Sequence, residues 1–515
     1  MSFPSKGEKK VIARKSTLIL ISMITVSLLG YLGLFFIYRY GLDYEYGVVA
    51  FAMAYVGLFS YMTNLGLSRA HIKHVSEGKD LGTCIGTYIV IKISLICIMV
   101  AVLLGSILFW KYILGRGFES SQHEIVIYLM VVFYVMLELA NIANHTFSAR
   151  RETAKERIST IFDPVIRIPI IIMVAIFSLG VFALAGAYIL GMAAFVIVSM
   201  VLFRGYPIKK FDKSLFRSYY IFALPLIVSG ALGTVMRNID KVMIQLFWES
   251  ESVGYYFGVE RIISVLLLVP TAVTTLLFPT MSEYHGKNNL GEIRKLSRVS
   301  FRYVSMIVVP CAVLLILLSK PILYLFSWSL ALNATILLQI MALYAFFTTF
   351  SRLSFNEIMA VGRPGVVAKI GIIASLTNIF LNILLIPKDI KTFGIKLLGL
   401  GAVGAAWATL ISAIITFVLL SIASYKITRI KPPRNILLHI LGSGIMGLAL
   451  YGLTIIIPIE RWYEVLGVCL LGVGIYIAVL YLLREFTKTD LNMFLQALSP
   501  KGMKDYVKSE LKRSK

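Results

Sequence analysis

The sequence predicts an all-α membrane protein of about 14 transmembrane helices, and three observations carry that prediction. Mean hydropathy is +0.85, with 58% hydrophobic and only 15% charged residues, which lies outside the range of soluble domains. Apolar stretches near the ~20 residues needed to cross a bilayer recur along the whole chain. Lysine and arginine accumulate on alternate connections between those stretches.

Taken in order, the spans are 16–38, 46–67, 84–110, 123–147, 159–180, 182–203, 218–247, 253–279, 300–319, 330–351, 366–387, 397–424, 436–458 and 463–483. Only Leu179-Gly180-Val181 separates the fifth from the sixth. The first stretch exceeds a signal-peptide core and lacks a cleavage site, so it reads as a retained helix. Cys84, Cys97, Cys311 and Cys469 all fall in apolar spans with no pairing or metal spacing, and read as small buried hydrophobes.

With the N-terminus inside, 37 of the 50 Lys and Arg residues fall on inside loops and tails, 8 outside and 5 within spans. That asymmetry gives an even number of spans with both termini cytoplasmic in the cell membrane. It also explains the net charge of +24 without nucleic acid, for which there is no compact soluble domain. Basic loops instead attract anionic lipid heads. The connections are too short for a nucleotide-binding domain or a large catalytic loop, and no G-x-x-x-x-G-K-[ST] phosphate loop occurs. Clustered acids to hold a divalent metal are missing too. These features point to a transporter, not an enzyme, driven by an ion gradient, the membrane potential or its substrate's own gradient.

An internal repeat sharpens the architecture. Tyr46-Gly47-Val48-Val49-Ala50-Phe51 opens the second span and Val253-Gly254-Tyr255-Tyr256-Phe257-Gly258 the eighth. Each span is followed by a related loop, Ser76-Glu77-Gly78-Lys79 in one copy and Ser282-Glu283-Tyr284-His285-Gly286-Lys287 in the other. Two such halves with a substrate site between them are a common transporter plan. The expected division is a basic cytoplasmic segment 1–15, a first lobe 16–214 (helices 1–6), a second lobe 215–425 (helices 7–12), two further helices within 436–484, and a basic cytoplasmic tail 485–515.

Arg237-Asn238-Ile239-Asp240-Lys241 sits near the end of the seventh apolar stretch, where three charges are costly unless they face protein or water. Arg237 and Lys241 are four apart on one helix face with Asp240 close by, and Glu260 and Arg261 lie about two turns into the next span. Such a cluster suits phosphate oxygens, a structural ion-pair network (Arg237 with Asp240, Lys241 with Glu260), or gating between lobes. In the first half, Lys92 lies deep in the third span, and Glu138, Asn141 and His145 share a face of the fourth. Glu138 either carries a coupling proton, tuned by His145, or neutralises Lys92. Asp163 and Arg167, four apart, read as a structural ion pair near the bends at Pro164 and Pro169. Asn378 and Asn382 either hydrogen-bond sugar hydroxyls or join helices. No cofactor or metal is expected beyond a coupling ion, H+ or Na+.

Gly41-Leu42-Asp43-Tyr44-Glu45-Tyr46-Gly47, Asn238-Ile-Asp240-Lys241-Val-Met-Ile, Ser252-Val-Gly254-Tyr255-Tyr256 with Glu260-Arg261-Ile, and Arg484-Glu485 with Asp490-Leu491 together resemble one family. It is the polysaccharide-transport branch of the multidrug/oligosaccharidyl-lipid/polysaccharide exporter superfamily, and the resemblance runs over nearly the whole chain. It implies a flippase for lipid-linked oligosaccharide, of the O-antigen (Wzx) type, with two six-helix lobes opening alternately around a central cleft and two appended helices. The implied substrate is a glycan on a polyprenyl phosphate or pyrophosphate. Membrane lipids are expected neighbours, glycan-assembly enzymes are candidate partners, and the expected state is a monomer. A cation-driven multidrug exporter would show acids facing its cavity, yet the first span and the tenth (330–351) carry none. A peptidoglycan-precursor flippase would show an Arg-Asp pair near the end of the first span, where Arg39 is followed by Tyr40-Gly41. A non-transporting scaffold in a glycan-assembly complex would have little use for a charged cleft. In the tail, Thr487-Lys-Thr-Asp490 before Leu491, Phe494, Leu495 and Leu498 reads as a capped amphipathic helix on the inner leaflet.

Overall fold

Without water to satisfy them, the backbone polar groups of apolar runs turn inward and make helices. The computed structural model describes residues 6–113, 118–150, 152–390, 395–430, 435–456, 459, 461–487 and 490. Its helices are α1 (Lys6–Arg39), α2 (Asp43–Ser60), α3 (Leu67–Ser76), α4 (Leu81–Leu108), α5 (Ser121–Ala149), α6 (Thr153–Ile176), α7 (Gly180–Phe203) and α8 (Lys213–Phe247). They continue as α9 (Ser250–Ser264), α10 (Leu268–Gly286), α11 (Leu290–Leu317), α12 (Ser319–Phe326), α13 (Trp328–Ala360), α14 (Pro364–Leu385), α15 (Gly401–Thr428), α16 (Asn435–Ile456) and α17 (Trp462–Leu482). Two-residue strands, Asp389–Ile390 and Ile395–Lys396, pair antiparallel between α14 and α15.

Twelve helices among the described residues are long and apolar enough to cross a membrane. The expected seventh span is α8, 35 residues long and interrupted by charge, and the expected eighth is divided between α9 and α10. The fifth and sixth spans separate at Ser178 and Gly180, both with positive φ. Two expected boundaries are corrected. The tenth helix does not stop at 351 but runs to Ala360, which places Arg352 and a buried acid, Glu357, on it. The ninth begins at Leu290, so Arg294, Lys295, Arg298 and Arg302 ride on α11 instead of a loop.

The described chain falls into two compact units. One comprises Ile24–Ile262 with Ala368–Ser412, and the other Met1–Met23, Ile263–Val367 and Ala413–Lys515. In the first unit the two copies of the sequence repeat meet. A Cβ on Gly47 would fall 1.8 Å from the Ser250 carbonyl oxygen, and one on Gly254 would fall 2.5 Å from that of Asp43. Each glycine is thus faced by the residue four positions before the other. Only glycine permits two backbones to cross so closely.

The same repeat breaks in both copies. α2 gives way to a tight turn at Tyr61–Thr63 and then to Leu65 and Gly66 with positive φ before α3 begins. α9 ends at Ser264 and α10 restarts at Leu268, where Pro270 lacks the N–H that would continue the helix. In the second unit α16 and α17 are not loose additions. Met446, Leu450, Tyr476 and Leu480 share a core with Met306, Leu314 and Leu318. Arg302 closes that unit's end, donating to Glu485 at 2.6 Å and to Asp490 at 2.8 and 3.0 Å. Its guanidinium holds the Asp490 carboxyl well below the usual carboxylate range. Thr487 and Asp490 bond reciprocally, side chain to backbone, as a capping box does. The short helix expected over 491–498 lies outside the described residues.

Candidate functional site

α8 brings polar groups into the first unit. Asp240 is buried, and its carboxylate accepts from Tyr256 Oη at 2.7 Å on α9, Asn382 Nδ2 at 2.6 Å on α14 and Thr409 Oγ1 at 2.9 Å on α15. Asn378 donates to Thr409 at 3.3 Å and accepts from Asn382 at 3.2 Å. One acceptor in this set, Asn382 Oδ1, is buried without a hydrogen-bond partner among the described residues. Asp240 is therefore held by neutral donors, and the Arg237–Asp240 pair considered from sequence does not form.

The cations next to it differ in their partners. Lys241 is buried, pairs with Glu260 at 2.9 Å and donates to the Arg237 carbonyl at 2.8 Å. Arg237 is exposed, donates to Thr234 Oγ1 at 2.9 Å, and has no carboxylate within 4.0 Å among the described residues. Asn238 turns back to the Thr234 carbonyl at 2.9 Å. Arg261, also exposed, lies 4.8 Å from the Phe257 ring, which stacks on Tyr46. Its backbone carbonyl accepts from Tyr31 at 2.7 Å. Tyr134 on α5 donates to the Met53 carbonyl at 3.1 Å.

The other polar positions have different surroundings. Lys92 is fully buried between α4 and its neighbours; its ammonium sits 2.5 Å from Glu138 and donates to the Thr63 carbonyl at 3.0 Å. That carbonyl belongs to the broken end of α2, so the ammonium meets the negative end of a helix dipole as well as a carboxylate. His145 lies 2.9 Å from the Tyr88 hydroxyl and not on Glu138. Asn141 makes no side-chain hydrogen bond to a described residue. Asp163 and Arg167 pair at 2.9 Å, with Arg167 over the Tyr188 ring. Tyr256, Thr409 and Tyr134 were not singled out from sequence. Tyr256 sits inside the repeat motif, but nothing in its spacing ties it to Asp240.

Comparison with known proteins places the chain in a family. A family model described as polysaccharide biosynthesis protein matches residues 43–329. The "Probable low-salt glycan biosynthesis flippase Agl15" of Haloferax volcanii is 24% identical, over 79% of this chain and 82% of its own. The "Probable flippase AglR" of the same organism is 27% identical over 46% of this chain, and the match spans about half, 48%, of that relative's length. A solved structure of lipid II flippase MurJ, in an inward closed conformation, superposes with a TM-score of 0.71 at 17% identity, covering 90% of this chain and 98% of that one. That likeness shows the fold.

Proposed function

The chain belongs to the polysaccharide biosynthesis protein family, in the polysaccharide-transport branch of the exporter superfamily, and from that premise we propose that it flips a lipid-linked oligosaccharide. The substrate is a glycan on a polyprenyl phosphate or pyrophosphate, carried by alternating access from the cytoplasmic to the external leaflet of the cell membrane. Both termini face the cytoplasm in this reading. The observation that carries it is Arg237, an exposed guanidinium within a helix of the bundle and without a carboxylate partner among the described residues. A phosphate head must cross where ions are costly, and a guanidinium fork offsets that cost with paired hydrogen bonds. A cationic drug would need an unengaged acid instead. Of the acids near Arg237, Glu260 is on Lys241, Glu138 is on Lys92, and Asp240 accepts from three neutral donors.

We propose the Asp240 set as the site of a coupling ion. Around the carboxylate stand two hydroxyls and two side-chain amides, and Asn382 Oδ1 is a buried acceptor without a partner among the described residues. That chemistry fits a hard monovalent cation such as Na+. The test is transport in proteoliposomes of fluorescent polyprenyl-linked oligosaccharide beside a cationic dye, with and without a sodium gradient. The glycolipid moves, the gradient accelerates it, and Asp240→Asn removes the acceleration. Movement of the dye alone assigns the protein to drug export. A rate indifferent to sodium removes the coupling role of Asp240.

A further inference from the structure

A buried acid lies in the other unit, outside everything used so far. Glu357 on α13 is 2% exposed, and both of its carboxylate oxygens are engaged by hydroxyls from other helices. Ser297 on α11 donates to Oε1, and Ser424 on α15 donates to Oε2 at 2.5 Å. The three residues join the Leu290 end of α11, the Ala360 end of α13 and the Thr428 end of α15.

Nothing charged answers this carboxylate within 4.0 Å among the described residues. On α11, Arg294 donates to the Thr428 carbonyl at 2.8 Å, Lys295 and Arg298 are exposed, and Arg302 is taken by Glu485 and Asp490. On α15, Lys426 is exposed, and Arg429, just beyond that helix, lies near the Tyr425 ring. On α13 itself, Arg352 bonds Thr271 at 2.6 Å. On α10, Glu283 pairs with Lys287 at 2.6 Å, and His285 is half-buried. Lys320 of α12 is exposed. An ionised carboxylate in a dry interior without a cation is costly.

Hydroxyl partners, unlike cations, serve either protonation state, because a serine donates or accepts at the same distance. When Glu357 is ionised, both serines donate to it. When it is neutral, its own O–H donates to Ser424 Oγ, whose hydrogen then turns to Thr428 Oγ1, 3.4 Å away. Thr428 in turn donates to the Ser424 carbonyl at 2.7 Å. The pocket thus offers as many hydrogen bonds to either form, and the ionised form alone carries the cost of a buried charge.

We propose that Glu357 is a proton-binding site whose occupancy fastens α11, α13 and α15 together at this end. One proton from water forms one carboxyl O–H bond, and its release to water leaves an uncompensated carboxylate that favours separation of the three ends. The site goes beyond the flippase reading and needs no transported substrate to be tested.

The experiment uses the full chain in lipid nanodiscs. Infrared difference spectra across a pH titration report the carbonyl stretch of a protonated carboxylic acid, and hydrogen exchange is followed over 290–297, 353–360 and 421–428. The expected result is a protonated-acid band that disappears in Glu357→Gln and shifts in Ser424→Ala, which keeps the carboxyl. Protection of the three segments falls as pH rises in the parent chain and stays high in Glu357→Gln. A band that survives Glu357→Gln, or that Ser424→Ala leaves unmoved, overturns the proposal. So does exchange in the three segments that ignores pH in the parent chain.

Discussion

The two copies of the broken helix are capped by different means. In the first, Lys92 donates to the Thr63 carbonyl at the break and is neutralised by Glu138. In the second, Arg352 reaches the Leu267 carbonyl at 3.4 Å and Thr271 Oγ1 at 2.6 Å, with no carboxylate within 4.0 Å among the described residues. A repeat can thus conserve a geometric device, a cation at the exposed carbonyls of an interrupted helix, while changing its charge. The first copy is electrically closed and reads as scaffold. In the second, the cation has no such carboxylate beside it among the described residues.

Three variants test that contrast. Lys92→Ala strands Glu138 in the interior and is expected to cost about 3–5 kcal/mol of stability, because a buried partner is left unpaired. Removing both charges in Lys92→Met with Glu138→Leu recovers most of it. Thermal unfolding in detergent measures both, and a double variant as unstable as the single one would show that the helix-end bond to Thr63 outweighs the ion pair. Arg352→Gln is expected to cost less, about 1–2 kcal/mol, since an amide can still reach Thr271 and no acid is stranded. A loss equal to that of Lys92→Ala would reveal a charge partner for Arg352.

The smallest effect concerns α3, just past the first break. His71 is fully buried, 2.9 Å from the Tyr219 hydroxyl and 3.0 Å from Thr146 Oγ1, with its ring stacked on Tyr88. Burial, with His145 and His74 nearby, pushes its pKa down from 6.5 to about 3. The unfolded chain therefore binds a proton that the folded chain refuses. This contribution is complete above pH 6.5 and is lost as pH falls toward 3. Unfolding midpoints measured through that window should fall, and His71→Gln should flatten the slope. An unchanged slope would assign the acid sensitivity to other groups.

Hydropathy made most of the helices legible, because spans must be apolar over a fixed length. It failed at α13, where the apolar run ends at Ser351-Arg352 but the helix continues through polar residues satisfied by Thr271, Ser297 and Ser424. It also failed at the two breaks, which depend on a positive φ at Leu65 and a missing N–H at Pro270. Local pairs such as Asp163 with Arg167 were readable from a spacing of four. The Asp240 set was not, since its partners stand 16, 142 and 169 positions away and only the packing of four helices unites them.

In the proposed mechanism an uncompensated cation on α8 receives the phosphate of a lipid-linked glycan. Its most direct test is the rate of glycolipid flipping in proteoliposomes by Arg237→Ala, compared with Arg237→Lys and with the parent chain at matched thermal stability. Ala is expected to abolish flipping and Lys to retain part of it. Parent-like flipping by Arg237→Ala would contradict the mechanism.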